Sequence, residues 1–404
     1  MDKMSKLLSF VSKNIPYYIN YFNNNDKDPL DINSYPILSK KDYIDNMELM
    51  ISKTCCIENL KLQKTSGTTG IPLCVYRTPN EYYNQVLELW RIRKTFYKIT
   101  PFSRKLAFYL DRETTKNLHK GYCMEANNEL VVGLYDLLDG DKSRYILDKI
   151  NAFRPEYIRA TPTAICKFIS FSIKHDIHEC LYIYYIESQS EFLFDFQRDM
   201  MTKFFPNAQI SNGYGCTEIS GIAQEVPNCS GLHVISNNAF IEICDSNNKI
   251  TQEENVEGDF IITGLNSLTM PFIRYRIGDK GKIITNNCKC NHQIIQLTAG
   301  RTNDFIKLAN GKEEHCAILV RGIEKVNSLN NQIIKFKFIQ KLIDTFEVYL
   351  TIKDAYLAEN IKDIFLNYIE STVVKDCKWN FHFVDFEDIE QNKSKFCYFE
   401  SKVT

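Results

Sequence analysis

Apolar positions in the first part of the chain follow two alternating rhythms. From Pro79 to Lys98 they recur at helical spacing, with Tyr83, Val86, Leu87 and Trp90 on one face. Residues 140–153 and Phe192 to Phe205 repeat that rhythm, and Thr161-Pro162-Thr163 opens a further helix. The first thirty residues read as helix up to the polar break Asn23-Asn24-Asn25-Asp26. Ser39-Lys40-Lys41-Asp42 reads as a helix start after the extended Tyr35-Pro36-Ile37. Short apolar runs lie between the helices: Lys105 to Leu110, Tyr157 to Ala160, Cys180 to Glu187, and the stretch around Ala208-Gln209-Ile210. Strands alternating with helices predict a largely parallel α/β sheet.

The rhythm changes near residue 220. Residues 231–298 carry short alternating strands with turn signals at Asp245-Ser246-Asn247-Asn248, Glu257-Gly258-Asp259 and Ile277-Gly278-Asp279, which predicts antiparallel sheet. After Gly300-Arg301 come two adjacent strands, Ile333 to Ile339 and Thr345 to Ile352, a helix from Ala355 to Glu370, and the strand Trp379 to Phe383. The expected fold class is α/β: a large N-terminal domain over 1–299, with a parallel α/β sheet and an antiparallel subdomain, followed by a small mobile α+β domain over 300–404. No internal repeat or low-complexity segment interrupts the pattern.

Bulk numbers narrow the function classes. A chain of 404 residues suggests about two to three domains. Hydrophobic content of 44% and charged content of 25% are ordinary globular values. A net charge of -1 gives no broad attraction to nucleic acid or to a membrane surface. No apolar run reaches the ~18 residues that span a bilayer. The 14 cysteines are scattered, and Met1-Asp2-Lys3-Met4-Ser5-Lys6 is not a secretory leader, so reduced thiols in the cytoplasm are expected. Nothing in the sequence speaks to oligomeric state.

Candidate chemistry begins at Thr65-Ser66-Gly67-Thr68-Thr69-Gly70-Ile71-Pro72. Cys55, Cys56, Ile57, Leu60 and Leu62 before it, and Leu73, Val75 and Tyr76 after it, read as strand. Small hydroxyls and glycines on a loop between strands can cradle a phosphate chain, although no Walker lysine follows. The plainer reading is a polar turn. A second cluster, Ser211-Asn212-Gly213-Tyr214-Gly215-Cys216-Thr217-Glu218, follows a predicted strand, where α/β sheets place ligands. Tyr214 offers a flat face for a purine, Thr217 a hydroxyl, and Glu218 a hard oxygen for Mg2+. Alone, it could equally be a Gly-bounded turn with an exposed carboxylate. Further clusters are Met270-Pro271-Phe272-Ile273-Arg274-Tyr275-Arg276-Ile277-Gly278-Asp279, Gly300-Arg301-Thr302-Asn303-Asp304-Phe305-Ile306-Lys307 and Asn392-Lys393-Ser394-Lys395-Phe396. Asp279 could hold both hydroxyls of a ribose, or simply close a hairpin. Arg301 could reach phosphate or ribose, or be solvated linker, and the two tail lysines read most simply as solvated surface.

Taken together and in this order, these clusters resemble the adenylate-forming (acyl- and aryl-activating) ligase superfamily. The resemblance is greatest to its phenylacetate–coenzyme A ligase branch and that branch's relatives in capsular polysaccharide gene clusters. Tyr35-Pro36-Ile37-Leu38-Ser39-Lys40-Lys41-Asp42 is similar to that branch's N-terminal lead-in, so the likeness runs over nearly the whole chain. It implies that Thr65, Ser66, Gly67, Thr68, Thr69 and Gly70 cover the β- and γ-phosphates of ATP. Gly213, Tyr214 and Gly215 would border the adenine, Thr217 would contact the α-phosphate, and Glu218 would hold Mg2+. Asp279 would bind the ribose, Arg301 ribose or phosphate, and Asn303 would sit at a pivot. Lys395 matches the C-terminal lysine that neutralises charge between carboxylate and α-phosphate. The implied reaction turns a small carboxylic acid and ATP into an acyl-adenylate and pyrophosphate. The acyl group then passes to a thiol, either coenzyme A or the phosphopantetheine of a carrier protein.

The chain departs from that family in places. Leu73 and Cys74 stand where a lysine is common, Ser394 rather than glycine precedes Lys395, which makes Lys393 a rival, and Ile277 replaces a usual threonine. Cys288-Lys289-Cys290-Asn291-His292, with Cys229 and His233 upstream, could supply a closed structural zinc site. The preferred ligands are Cys229, His233, Cys288 and Cys290, with His292 as the alternative fourth. Free loop cysteines are the plainer reading, because the branch's upstream cysteine position is Val226 here. Two other readings of function remain: acyl transfer to an amine or a sugar hydroxyl, and a nucleotide-binding scaffold without catalysis. A Ser or Cys hydrolase lacks its Gly-x-Ser-x-Gly elbow. The identity of the acid is not written in the sequence.

Overall fold

A computed structural model describes residues 2–65, 72–109, 118, 123–134, 140–174, 182–285, 292–301, 305–330, 332–372, 374–385, 388–389 and 398–403, with the backbone alone at 140–143, 174, 299–301, 315 and 317. The chain packs into two units, one of residues 1–101 and 212–298, the other of 102–211 and 299–404. The chain crosses between the units at 101/102, 211/212 and 298/299. The segment 102–211, expected in the first domain, packs with the C-terminal residues.

The first unit is built on antiparallel sheet, as the turn signals predict. Strands Ile250–Thr251, Ala239–Cys244, Glu257–Gly264, Tyr275–Ile284, Ile294–Arg301, Leu232–Val234, Ser220–Gln224 and Gln209–Cys216 lie side by side in that order. A separate hairpin pairs Lys61–Lys64 with Cys74–Arg77. Its first strand is shorter than the sequence suggests: Ile57–Asn59 turns into a 3-10 helix, and pairing starts only at Lys61. Helix Pro79–Tyr97 follows directly. Thr78 and Glu81 cap it reciprocally, and Pro79 needs no helical N–H donor at its first position.

The N-terminal lead-in packs behind strand Tyr275–Ile284. Ser39 and Asp42 form a capping box that starts helix Lys40–Asp45. Tyr43 stacks on Phe272 and meets Tyr275 edge-on, while its hydroxyl donates to the Pro271 carbonyl. Arg274 forms a bidentate pair with Glu242, both buried, and donates to the Asn33 and Tyr35 carbonyls. A buried pair of this kind fixes geometry more than it adds stability, because desolvation offsets most of its attraction. Leu7, Val11, Tyr18 and Leu38 from the N-terminus join Ile241, Phe260, Phe272 and Ile295 in one core.

The second unit holds the parallel α/β part. Lys105–Tyr109 runs parallel to Glu129–Gly133 and Tyr157–Ala160, and the latter parallel to Tyr185–Gln189, with Cys123–Ala126 antiparallel at the edge. Helices Gly140–Phe153, Pro162–Lys174 and Asp195–Phe204 accompany these strands. Tyr185–Gln189 lies further along the chain than the Cys180 to Glu187 run predicts, with residue 182 in a turn. A four-stranded sheet in the order Lys378–Phe383, Thr345–Ile352, Ile333–Leu342, Phe399–Ser401 packs with helices Ala317–Asn330 and Ala358–Glu370 around Phe336, Phe338, Phe346 and Phe365. The fold class expected from the sequence is the one observed. Among the described residues, no helix is long and apolar enough to cross a membrane.

Candidate active site

The sequence places the cluster ending in Glu218 on a loop after a strand. In the structure that strand runs on to Cys216 and turns back as a hairpin with Ser220–Gln224, leaving only Thr217, Glu218 and Ile219 at the tip. Gly213 and Gly215 serve this hairpin itself. A Cβ on Gly215 would stand 2.4 Å from the Ser220 carbonyl oxygen, so the two backbones could not approach with any larger residue. This gives both glycines a structural role beside the adenine-bordering role the resemblance implies.

Asp279 differs from expectation in a related way. It closes no turn but lies inside strand Tyr275–Ile284. Pairing with the neighbouring strand jumps from Ile261↔Arg276 to Asp259↔Lys280, so Ile277, Gly278 and Asp279 bulge opposite Phe260. Gly278 has φ of +87°, a conformation that other residues rarely adopt, which makes the bulge possible and re-aims Asp279.

These two displaced carboxylates are braced crosswise. Tyr214 donates its hydroxyl to Asp279 Oδ2 at 2.9 Å, and Tyr275 donates its hydroxyl to Glu218 Oε1 at 2.9 Å. The strand before the hairpin tip thus lends Tyr214 to Asp279, and the strand that carries Asp279 lends Tyr275 to Glu218 at the tip. Burial, reinforced by Asp279, pushes the Tyr214 phenol well above its ordinary pKa. Burial and Glu218 do the same to Tyr275, and to the Cys216 thiol. Both phenols therefore keep their protons and remain donors at neutral pH, in hydrogen bonds to carboxylates worth about 1.5–3 kcal/mol each. Glu218 itself is buried. Its carboxylate and the Thr217 hydroxyl are hard oxygen donors of the kind Mg2+ prefers, so the residues present fit that ion.

Thr65 closes the base of the candidate phosphate loop. Its N–H donates to the Leu73 carbonyl at 3.0 Å, and its hydroxyl accepts from the Leu73 N–H at 2.9 Å. Ser66, Gly67, Thr68, Thr69 and Gly70 lie outside the described residues, as do Asn303, Lys393, Lys395, Cys288 and Cys290. Arg301 ends strand Ile294–Arg301, with its side chain outside the description, and belongs to the second unit. Of the zinc candidates, Cys229 is half-buried, and His233 is buried with its ring centroid 6.3 Å from that of His292. Burial, then His292, lowers the His233 pKa. Among the described residues, no group of three or more His, Cys, Asp or Glu is placed to hold a metal.

Two residues beside this cluster carry no expected role in the sequence. Tyr275 is part of a motif, but its hydroxyl's target at a distant hairpin tip has no signal in the local pattern. Arg77 ends an apolar strand, and its guanidinium donates to Gln63 Oε1 and to the Thr217 carbonyl.

No family model matches the chain. Two curated proteins do. The protein CapK of Staphylococcus aureus is 24% identical over 380 residues, covering 89% of this chain and 79% of CapK. A phenylacetate–coenzyme A ligase of Thermus thermophilus is 22% identical over 325 residues, covering 76% of this chain and 70% of that ligase. The fold matches a solved 2-hydroxyisobutyryl-CoA ligase in the postadenylation state, in complex with R3-HIB-AMP, with a TM-score of 0.76 at 12% identity over 98% of this chain and 87% of that one. Sequence likeness, fold and motif order agree in direction: the chain resembles the adenylate-forming ligase superfamily, and within it the phenylacetate–coenzyme A ligase-like branch.

Proposed function

We propose that this protein activates a small carboxylic acid with ATP and passes the acyl group to a thiol. In the first half-reaction a carboxylate oxygen bonds to the α-phosphorus, the bond to the bridging oxygen breaks, and pyrophosphate leaves with that electron pair. In the second, a thiolate sulfur bonds to the acyl carbon and AMP leaves with the electrons of the carbon–oxygen bond, the thiol proton going to solvent. The observation that carries the reading is the crossed brace: Asp279 and Glu218, matched to ribose and Mg2+ binding, are both held ready by tyrosine donors.

In this reading Asp279 holds the ribose and Thr217 the α-phosphate, and Glu218 would hold a Mg2+ that, when bound, would offset phosphate charge. Thr65 to Gly70 cover the β- and γ-phosphates, Arg301 adds a contact to ribose or phosphate, and Lys395 neutralises the charge that develops between acid and α-phosphate. The region 300–404 would carry that lysine in for one half-reaction and away for the next. Support comes from the CapK and phenylacetate–coenzyme A ligase relatives and from the fold shared with a ligase solved with an acyl-AMP. A structural zinc on Cys229, His233, Cys288 and Cys290 (or His292) is a separate proposal, suited to a mixed sulfur and nitrogen donor set. Metal analysis of the wild type and of Cys229→Ser tests it, and equal zinc contents would remove it.

The central test is acid-dependent exchange of labelled pyrophosphate into ATP over a panel of acids, followed by trapping with coenzyme A, a carrier protein or an amine. Exchange with at least one acid and thioester formation are expected. An amide or ester product instead would move the acceptor to an amine or hydroxyl. ATP binding with no exchange for any acid would favour the non-catalytic scaffold.

A further inference from the structure

Arg77 is 3% exposed, at the end of the strand that leads out of the candidate phosphate loop. Its two hydrogen bonds reach Gln63 on the paired strand and the Thr217 carbonyl on the Glu218 hairpin, so one side chain joins the two hairpins. Its Nε has no partner among the described residues. No ion pair among the described residues includes it, unlike the buried Arg274, which Glu242 neutralises. Burying a guanidinium without an adjacent anion is costly, and a fold retains such a charge where something else compensates it. Burial lowers its pKa, while Cys216 and Glu218 are the largest influences opposing that shift.

The position says what the charge can act on. Arg77 grips the backbone carbonyl of Thr217 rather than its hydroxyl or the Glu218 carboxylate. A positive charge there attracts a polyphosphate and repels a divalent cation at Glu218. Resting on the adenylation reading, we propose that Arg77 is a positioning residue that holds the Thr217–Glu218 turn in register with the phosphate-loop hairpin and supplies a fixed positive charge for the polyphosphate of ATP.

Opposite signs separate this charge from a mere prop. Arg77→Met should weaken binding of metal-free pyrophosphate about tenfold and tighten binding of Mn2+ alone severalfold, both read by calorimetric titration. Arg77→Lys, which keeps the charge, should hold both affinities near the wild type. Parallel weakening of both ligands, or no change in either, overturns the proposal. If Arg77→Met does not fold by thermal melting, Arg77→Gln is read in the same titrations. Wild-type protein that exchanges pyrophosphate while Arg77→Met titrates unchanged removes the role of Arg77 alone. Pyrophosphate binding that depends on Arg77, in a wild type that exchanges with no acid, removes the adenylation reading and leaves the anion role standing.

Discussion

The Tyr214 hydroxyl donates to Asp279 Oδ2 at 2.9 Å across two strands far apart in sequence. Tyr275, four positions before Asp279, returns the favour to Glu218, four positions after Tyr214. Each carboxylate is thus held by a tyrosine from the other segment, so on the proposed function a change at either tyrosine should alter nucleotide or metal binding without touching the acid.

Tyr214→Phe removes the donor to Asp279. We expect the KM for ATP to rise about fivefold to tenfold, in line with one lost hydrogen bond to a carboxylate, with the KM for the acid unchanged. Pyrophosphate-exchange kinetics with each substrate varied in turn would check this. An equal rise in both constants would mean that Tyr214 supports the whole unit rather than Asp279.

Tyr275→Phe leaves Glu218 buried with one fewer donor. The Mg2+ concentration for half-maximal exchange should rise several-fold, and unfolding free energy should fall by about 1–3 kcal/mol. Denaturant melts alongside an Mg2+ series separate the two effects. A stability loss with an unchanged Mg2+ requirement would count against Glu218 as the metal's carboxylate.

Lys395→Ala should lower acid-dependent exchange by about a hundredfold or more while ATP still binds, as expected of a charge used mainly in the transition state. Lys393→Ala should leave exchange near the wild type. The reverse pattern would transfer the role to Lys393.

Glu242→Ala strands the buried Arg274, whose guanidinium also ties down the Asn33 and Tyr35 carbonyls. Loss of about 3–5 kcal/mol is expected, the cost of an uncompensated buried charge. Thermal melting of Glu242→Ala and of the double variant with Arg274→Met distinguishes that cost from simple loss of contacts, since the double variant should recover part of the stability.

In the second unit, His382 Nε2 lies 2.5 Å from Glu347 Oε2, and this bond chiefly lowers the Glu347 pKa. The carboxylate's folded pKa is below its unfolded value. Its stabilisation is therefore complete above about pH 4.5 and is lost as pH falls through the lower folded value. Because the pair is partly exposed, the effect should stay below about 1 kcal/mol. His382→Gln should flatten this part of the acid-unfolding profile, and an unchanged profile would assign the acid sensitivity elsewhere.

Much of the fold is legible in the chain because its causes are local. The capping pairs Ser39/Asp42 and Thr78/Glu81, the apolar period of Pro79–Tyr97 and the alternation after residue 231 all act within a few residues. Reading failed where a local preference is overruled, as at Ile57–Asn59, where an apolar run forms a 3-10 turn instead of strand. It failed again at Asp279, where the Gly-Asp turn signal becomes a bulge inside a longer strand.

The candidate site divides along the same line. The sequence by itself determined the chemical types on offer: small hydroxyls, a glutamate and an aspartate, whose assignment to phosphate, a hard cation and ribose is part of the proposed function. Only tertiary structure decided their partners, because Tyr214 meets Asp279, Tyr275 meets Glu218 and Arg77 meets Thr217 through strands whose register is set by the shared core. A sequence states which groups a chain carries. Which of them share a hydrogen bond depends on pairing distant strands, and that pairing is a property of the whole packed unit.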